Sequence, residues 1–114
     1  MATFEASKSG KVVVLTVVGR LDPSAGKELN AALSSAADSE PQAPILVDLA
    51  GVDYMASAGF RELFLAGRKL GRQGRQLAVC SLGGEVLRIF ELAQFDTAYP
   101  VFATREEALG SLGA

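Results

Sequence analysis

Histidine is missing from this chain of 114 residues, and there is one cysteine, Cys80. The first absence excludes Ser-His-Asp and Cys-His nucleophile systems, histidine metal sites and a phosphohistidine relay together. A lone cysteine cannot close an internal disulfide, which suits a reducing compartment. Cys80 sits in an apolar stretch and reads as core rather than as a reactive thiol. No metal and no cofactor is expected. Basic runs are also absent: Lys+Arg 11 against Asp+Glu 13 gives a formal net charge of −2. An extended nucleic-acid surface needs clustered positive charge, so none is expected. No apolar run approaches the ~20 residues of a membrane span. Met1-Ala2-Thr3-Phe4-Glu5 lacks the charged start and apolar block of a secretion signal. The expectation is a cytoplasmic protein without membrane insertion. No Gly-x-x-x-x-Gly-Lys-Ser/Thr loop occurs; Gly67, Gly71 and Gly74 read as packing and a helix stop, and Gly83-Gly84 as a turn.

What is present is enough apolar material, 49% of residues, for one compact core. The reading is a single domain over residues 1–114. Thr3–Lys8 alternates weakly and reads as a first strand near an edge, Ser9-Gly10 as a hairpin turn. Lys11–Val18 is the most β-branched run and reads as a central strand ending at Gly19. Asp22 followed by Pro23 predicts a helix start, with the helix reaching Asp38 and burying Leu29, Ala32, Leu33 and Ala36. Ile45–Leu49 reads as a strand buried on both faces, and Ala50-Gly51-Val52-Asp53 as a turn after it. Phe60, Leu63, Phe64, Gly67 and Leu70 then recur at helical spacing. Arg75–Ser81 predicts a strand, Glu85–Ala93 a helix burying Val86, Ile89, Phe90 and Ala93, and Ala98–Phe102 a last strand. Thr104 and Glu107 have capping-box spacing for a final helix to Leu112. The order β-β-α-β-α-β-α-β-α predicts an α/β fold with a mixed, mostly parallel sheet.

Between the buried strand and the amphipathic helix lies Ala56-Ser57-Ala58-Gly59, where a serine is flanked only by small side chains. Ser57 is expected to be the helix N-cap, accepting from otherwise unpaired N–H groups. The residues alone leave two roles open: a cap and nothing more, or a hydroxyl available for modification. Asp22 likewise reads first as a cap. Arg61, one turn into the helix, is a solvated arginine or a partner for a nearby anion. In a parallel sheet, the turns that follow the second and third strands share one rim, which brings Asp22 and Ser57 together. Asp48, Asp53 and Asp22 are expected to add negative charge near Ser57.

The run Asp48-Leu49-Ala50-Gly51-Val52-Asp53-Tyr54-Met55-Ala56-Ser57-Ala58-Gly59-Phe60 resembles the signature of STAS domains, in particular the bacterial anti-sigma factor antagonists. There the loop usually reads Asp-Ser-Ser-Gly or Asp-Ser-Thr-Gly after an aromatic–Met/Ile pair. Ala56 stands where that family has Asp, and Ala58 where it has a second Ser or Thr. Gly19-Arg20-Leu21-Asp22 resembles the family's second signature, a Gly-x-Leu-Asp turn. The resemblance implies a non-enzymatic binding module with Ser57 as phosphoacceptor. Arg20, Asp22, Met55, Ala56, Ala58, Gly59 and Arg61 would form the partner-binding surface. It further implies an ATP-dependent anti-sigma factor serine kinase and a phosphoserine phosphatase as partners, with no oligomer required. Two other classes fit the residues: a free-standing STAS subunit regulating a membrane transporter, such as a lipid-transport complex, and a small flavodoxin-shaped enzyme. The missing histidine and phosphate loop speak against the enzyme.

Overall fold

The computed structural model describes residues 2–113. β1 (Ala2–Ser9) and β2 (Val12–Leu21) form an antiparallel hairpin closed by Gly10 and Lys11, with Ser9 opposite Val12. Gly10 takes the left-handed φ of 59° that so tight a turn requires. A 3-10 turn (Pro23–Ala25) leads into α1 (Gly26–Ser39), followed by β3 (Ile45–Met55) and α2 (Ser57–Arg72). β4 (Leu77–Cys80), α3 (Gly84–Leu92), the single-turn α4 (Phe95–Ala98), β5 (Val101–Phe102) and α5 (Arg105–Leu112) complete the order. The five strands lie in the order β1-β2-β3-β4-β5, parallel from β2 onward, with β1 as the antiparallel edge.

Alternation along the inner strands explains the two layers. Val13, Leu15 and Val17 of β2, with Ile45, Val47 and Leu49 of β3, point to one face of the sheet. There they meet Leu29 and Leu33 of α1, Phe60 and Leu63 of α2, Val86 and Phe90 of α3 and Phe95 of α4. Val12, Val14, Leu46, Ala78 and Cys80 point to the other face, where Ala108, Leu109 and Leu112 of α5 cover them. The predicted mixed, mostly parallel sheet is therefore observed, with both faces buried along β4 and the first halves of β2 and β3, while the second halves of β2 and β3 expose one face.

Several boundaries differ from the sequence reading. β2 does not stop at Gly19 but pairs on to Leu21, opposite Met55. The turn expected at Ala50–Asp53 is strand. Pairing passes from Thr16↔Asp48 to Val18↔Gly51, and from Gly19↔Val52 to Arg20↔Tyr54, so β3 gains one extra residue at each step. Each bulge adds one outward residue. Leu49, Val52 and Met55 therefore all face the core at a spacing of three, a pattern that strict alternation does not anticipate. Gly51 fits closely there: a Cβ would lie 2.9 Å from Val18 Cγ2 and 3.3 Å from Val18 Cα, so a larger residue would push on the neighbouring strand. Asp22 caps the 3-10 turn rather than α1 itself. Ala32 is only partly buried, and Ala93, expected in the core, is exposed. The strand expected from Ala98 contracts to Val101–Phe102, because Phe95–Ala98 forms a helical turn.

One buried charge escaped the sequence reading. Arg75 is 9% exposed. Its guanidinium donates to the carbonyls of Ala43 (2.8 Å), Glu40 (2.8 Å) and Ala37 (3.1 Å) and to Gln73 Oε1 (3.0 Å). It thus holds the end of α1 and the loop behind it onto the start of β4, satisfying carbonyls a helix end leaves free.

Candidate functional site

β2 and β3 end side by side, with Leu21 opposite Met55. The next residue, Ala56, donates its N–H to the Leu21 carbonyl at 2.7 Å. The chain that leaves β2 at Asp22 and the chain that leaves β3 at Ser57 therefore start from one hydrogen-bonded corner, the shared rim expected of parallel strands. Small residues let the two turns close up: a Cβ built on Gly26 of α1 would sit 3.6 Å from the Ala58 Cβ of α2.

Ser57 is exposed and is the first residue of α2. It is not the N-cap. That position belongs to Ala56, whose extended backbone (φ −77°, ψ 160°) has the cap conformation but whose side chain has no oxygen to offer. The Ala56 carbonyl takes the N–H groups of Gly59 (3.0 Å) and Phe60 (3.3 Å). The N–H groups of Ser57 and Ala58 have no acceptor among the described residues. The serine hydroxyl thus stands free beside two unpaired donors at the positive end of the helix dipole, a place that favours an anion.

Asp22 is half-buried, and one carboxylate oxygen, Oδ1, accepts from the Ser24 hydroxyl (2.6 Å) and the Ser24 N–H (3.1 Å). Chiefly the Ser24 hydroxyl holds its pKa below the usual 3.8, so Asp22 is an anion at neutral pH. Arg20 lies over the Tyr54 ring at 4.4 Å to the centroid, which fixes both exposed side chains at the ends of β2 and β3. Arg61 is exposed on α2 and belongs to neither of the ion pairs among the described residues, Lys8–Glu40 and Arg105–Asp48.

The remaining residues singled out from sequence are not all surface groups. Met55 is 3% exposed and Ala56 9%, and Gly59 is buried. A Cβ on Gly59 would approach Met55 Cγ to 3.3 Å and Leu21 Cβ to 3.6 Å. These three act from below, by setting how closely α2 approaches the strands. Ala58 is half-buried against Gly26. Exposure at the rim belongs to Arg20, Tyr54, Asp53, Ser57 and Arg61. Asp48 is not one of the charges near Ser57: it is 5% exposed, under α5, and bonded to Arg105 at 2.7 Å. Cys80 is fully buried, and burial pushes its thiol from 9.0 to about 11.

A groove of about 220 Å³ between α1 and α2 is lined by Asn30, Leu33, Ala37, Lys69 and Gln73, toward the far ends of both helices from Ser57. No group of three or more His, Cys, Asp or Glu is placed to hold a metal among the described residues. No helix there is long and apolar enough to cross a membrane.

Known proteins place this geometry in context. A candidate anti-sigma factor antagonist, BtrV of Bordetella bronchiseptica, is 28% identical over 97 residues, 85% of this chain and 83% of BtrV. The crystal structure of an anti-sigma factor antagonist from Mycobacterium paratuberculosis is 26% identical, with a TM-score of 0.89 over 100% of this chain and 96% of that one. SpoIIAA in its unphosphorylated form is 21% identical, with a TM-score of 0.73 over 98% of this chain and 100% of its own. The phosphorylated form, from Bacillus, is 20% identical, with a TM-score of 0.72 over 96% and 98%. The STAS domain family profile matches residues 3–108, so this chain belongs to the STAS domain family.

Proposed function

We propose that this protein is an anti-sigma factor antagonist that works by partner switching. Unphosphorylated, it binds an anti-sigma factor with ATP-dependent serine-kinase activity and so frees a sigma factor. The kinase transfers a phosphoryl group to the Ser57 hydroxyl, the complex dissociates, and a phosphoserine phosphatase restores the binding form. The protein is substrate and binding module, with no catalysis of its own.

The observation that carries the reading is an exposed serine at the first position of α2, joined to the Asp22 turn through a single hydrogen-bonded corner. The chain has no histidine to activate the serine. Anti-sigma factor antagonists among the relatives support the partner class. A phosphate on Ser57 adds about −1.5 to −2 charge beside free N–H donors, so the helix tolerates it. At the rim the Asp22 and Asp53 carboxylates stand against the exposed Arg20 and Arg61, so a phosphate on Ser57 would tip a balanced surface negative. Added anionic charge works against any partner surface adapted to the neutral hydroxyl, and each ~1.4 kcal/mol lost weakens binding tenfold. Arg20 and Arg61 are the cations a partner carboxylate would meet.

The test is to incubate the protein with ATP and the anti-sigma serine kinase of its own genome and map the modified residue. Phosphate is expected on Ser57 alone. Ser57→Ala should keep kinase binding, and Ser57→Asp should weaken it tenfold or more by calorimetry. Equal binding by the two variants would sink the charge switch. Copurification with a transporter and no phosphorylation would favour the transporter-subunit reading.

A further inference from the structure

The first β3 bulge is held from outside the strand. Past Asp48 the pairing with β2 slips by one residue. The Asp48 carboxylate spans the slip: Oδ1 accepts the Ala50 N–H at 3.0 Å, and Oδ2 accepts Arg105 Nε at 2.7 Å. Arg105 then reaches β2, donating from Nη2 to the Thr16 hydroxyl at 2.9 Å. Thr16 is the residue paired with Asp48, the last register before the slip. One guanidinium thus grips both strands where their ladder breaks.

Arg105 is oddly placed for a helix. It is the first residue of α5, directly after the Thr104 cap, whose hydroxyl accepts the Glu107 N–H at 3.1 Å. A cation at a helix N-terminus opposes the helix dipole. The helix does not favour Arg105 there, while the buried carboxylate opposite does. Asp48 has almost no access to water, so breaking the pair would leave a buried carboxylate without its cation.

We infer that Arg105 is a positioning residue for Ser57: α5, on the far face of the sheet, sets how the rim presents the serine by clamping the β3 bulge through Asp48 and Thr16. The segment from Ala50 to Met55 is the only strand between that clamp and the Ala56–Ser57 corner. With the clamp closed, Leu21 is held opposite Met55 and Ser57 beside the Asp22 turn. With it open, the slipped ladder is free to shift, and the corner shifts with it. Anything that docks on or displaces α5 therefore regulates the rim. The part of this inference that concerns modification rests on Ser57 being the phosphoacceptor.

The test has two arms. Residue-resolved amide hydrogen exchange on Arg105→Ala should show at least tenfold faster exchange at Ala50 and through Val52–Ser57, with α1 amides unchanged. Thr16→Val keeps the side-chain volume and removes only the hydroxyl; it should raise the same amides threefold or more. This variant decides the matter should Arg105→Ala unfold. Faster exchange confined to α5 in both variants would overturn the inference. In the second arm, kcat/KM for phosphorylation should fall at least fivefold in Arg105→Ala, with Arg105→Lys recovering only part because an ammonium cannot fork to both partners. Absence of phosphate on the wild-type protein would refute the proposed switch and leave the exchange arm to decide the clamp. Faster exchange with unchanged phosphorylation would overturn the coupling to Ser57.

Discussion

Ala56 shows how much one side chain at the rim withholds. Its backbone has cap geometry and its carbonyl already serves Gly59 and Phe60, yet the helix begins with no side-chain acceptor. An aspartate there, the residue usual in the resembling signature, would reach the free N–H groups of α2. Ala56→Asp should stabilise the protein by about 1 kcal/mol, the ordinary worth of a cap, read as a raised urea midpoint with unchanged slope. Ala56→Asn should recover most of that gain, since the acceptor rather than the charge makes the cap. That Ser57 lies exposed is legible in the sequence, because small neighbours surround it. Its displacement from the cap to the first helical position is not, because the corner bond from Ala56 to Leu21 is a tertiary contact. Met55 and Gly59 lie within the resembling motif but are buried, and their burial follows from the bulged strand that delivers them.

Among the elements, long periodic ones were legible and short or irregular ones were not. The stripe Phe60-Leu63-Gly67-Leu70 marked α2, and Thr104 with Glu107 marked the start of α5, as found. β3 was half legible: the apolar run to Leu49 reads as strand, but the step of three to Val52 and Met55 resembles a turn until β2 is present to absorb the extra residues. α4 left little signal, since its one turn carries a single buried residue, Phe95. That residue is nonetheless central to an aromatic cluster, with ring centroids 4.8 Å from Phe90, 5.0 Å from Phe64 and 5.2 Å from Tyr99. Phe95→Ala empties a site packed by α2 and α3. It should cost about 3–5 kcal/mol, as large aromatic truncations do, measured by chemical denaturation. A loss below about 1 kcal/mol would mean that α4 is peripheral.

For the whole molecule, the sheet divides labour between its faces. Most of the helices, α1 to α4, build the main core on one side, and α5 alone seals the other, over Cys80. Burial there raises the Cys80 thiol from 9.0 to about 11. The folded state therefore holds this proton more tightly than the unfolded chain does. The associated stability is complete below pH 9.0 and disappears as pH rises through about 11. Urea midpoints taken across that window should fall, and the fall attributable to this thiol should vanish in Cys80→Ala. A variant that kept the full decline would place its origin elsewhere.

The two bulges of β3 carry a further meaning for how this segment tolerates change in length. Between Thr16 and Leu21 of β2, the matching stretch of β3 runs from Asp48 to Met55, holding slack that a regular ladder would not need. Deleting Asp53 would take up one unit of that slack and leave Val52 and Met55 still turned inward, straightening the strand without moving its ends. Removal of a residue from the tightly matched run Ile45–Asp48 has no such reserve to draw on, and would throw the inward and outward sets out of step.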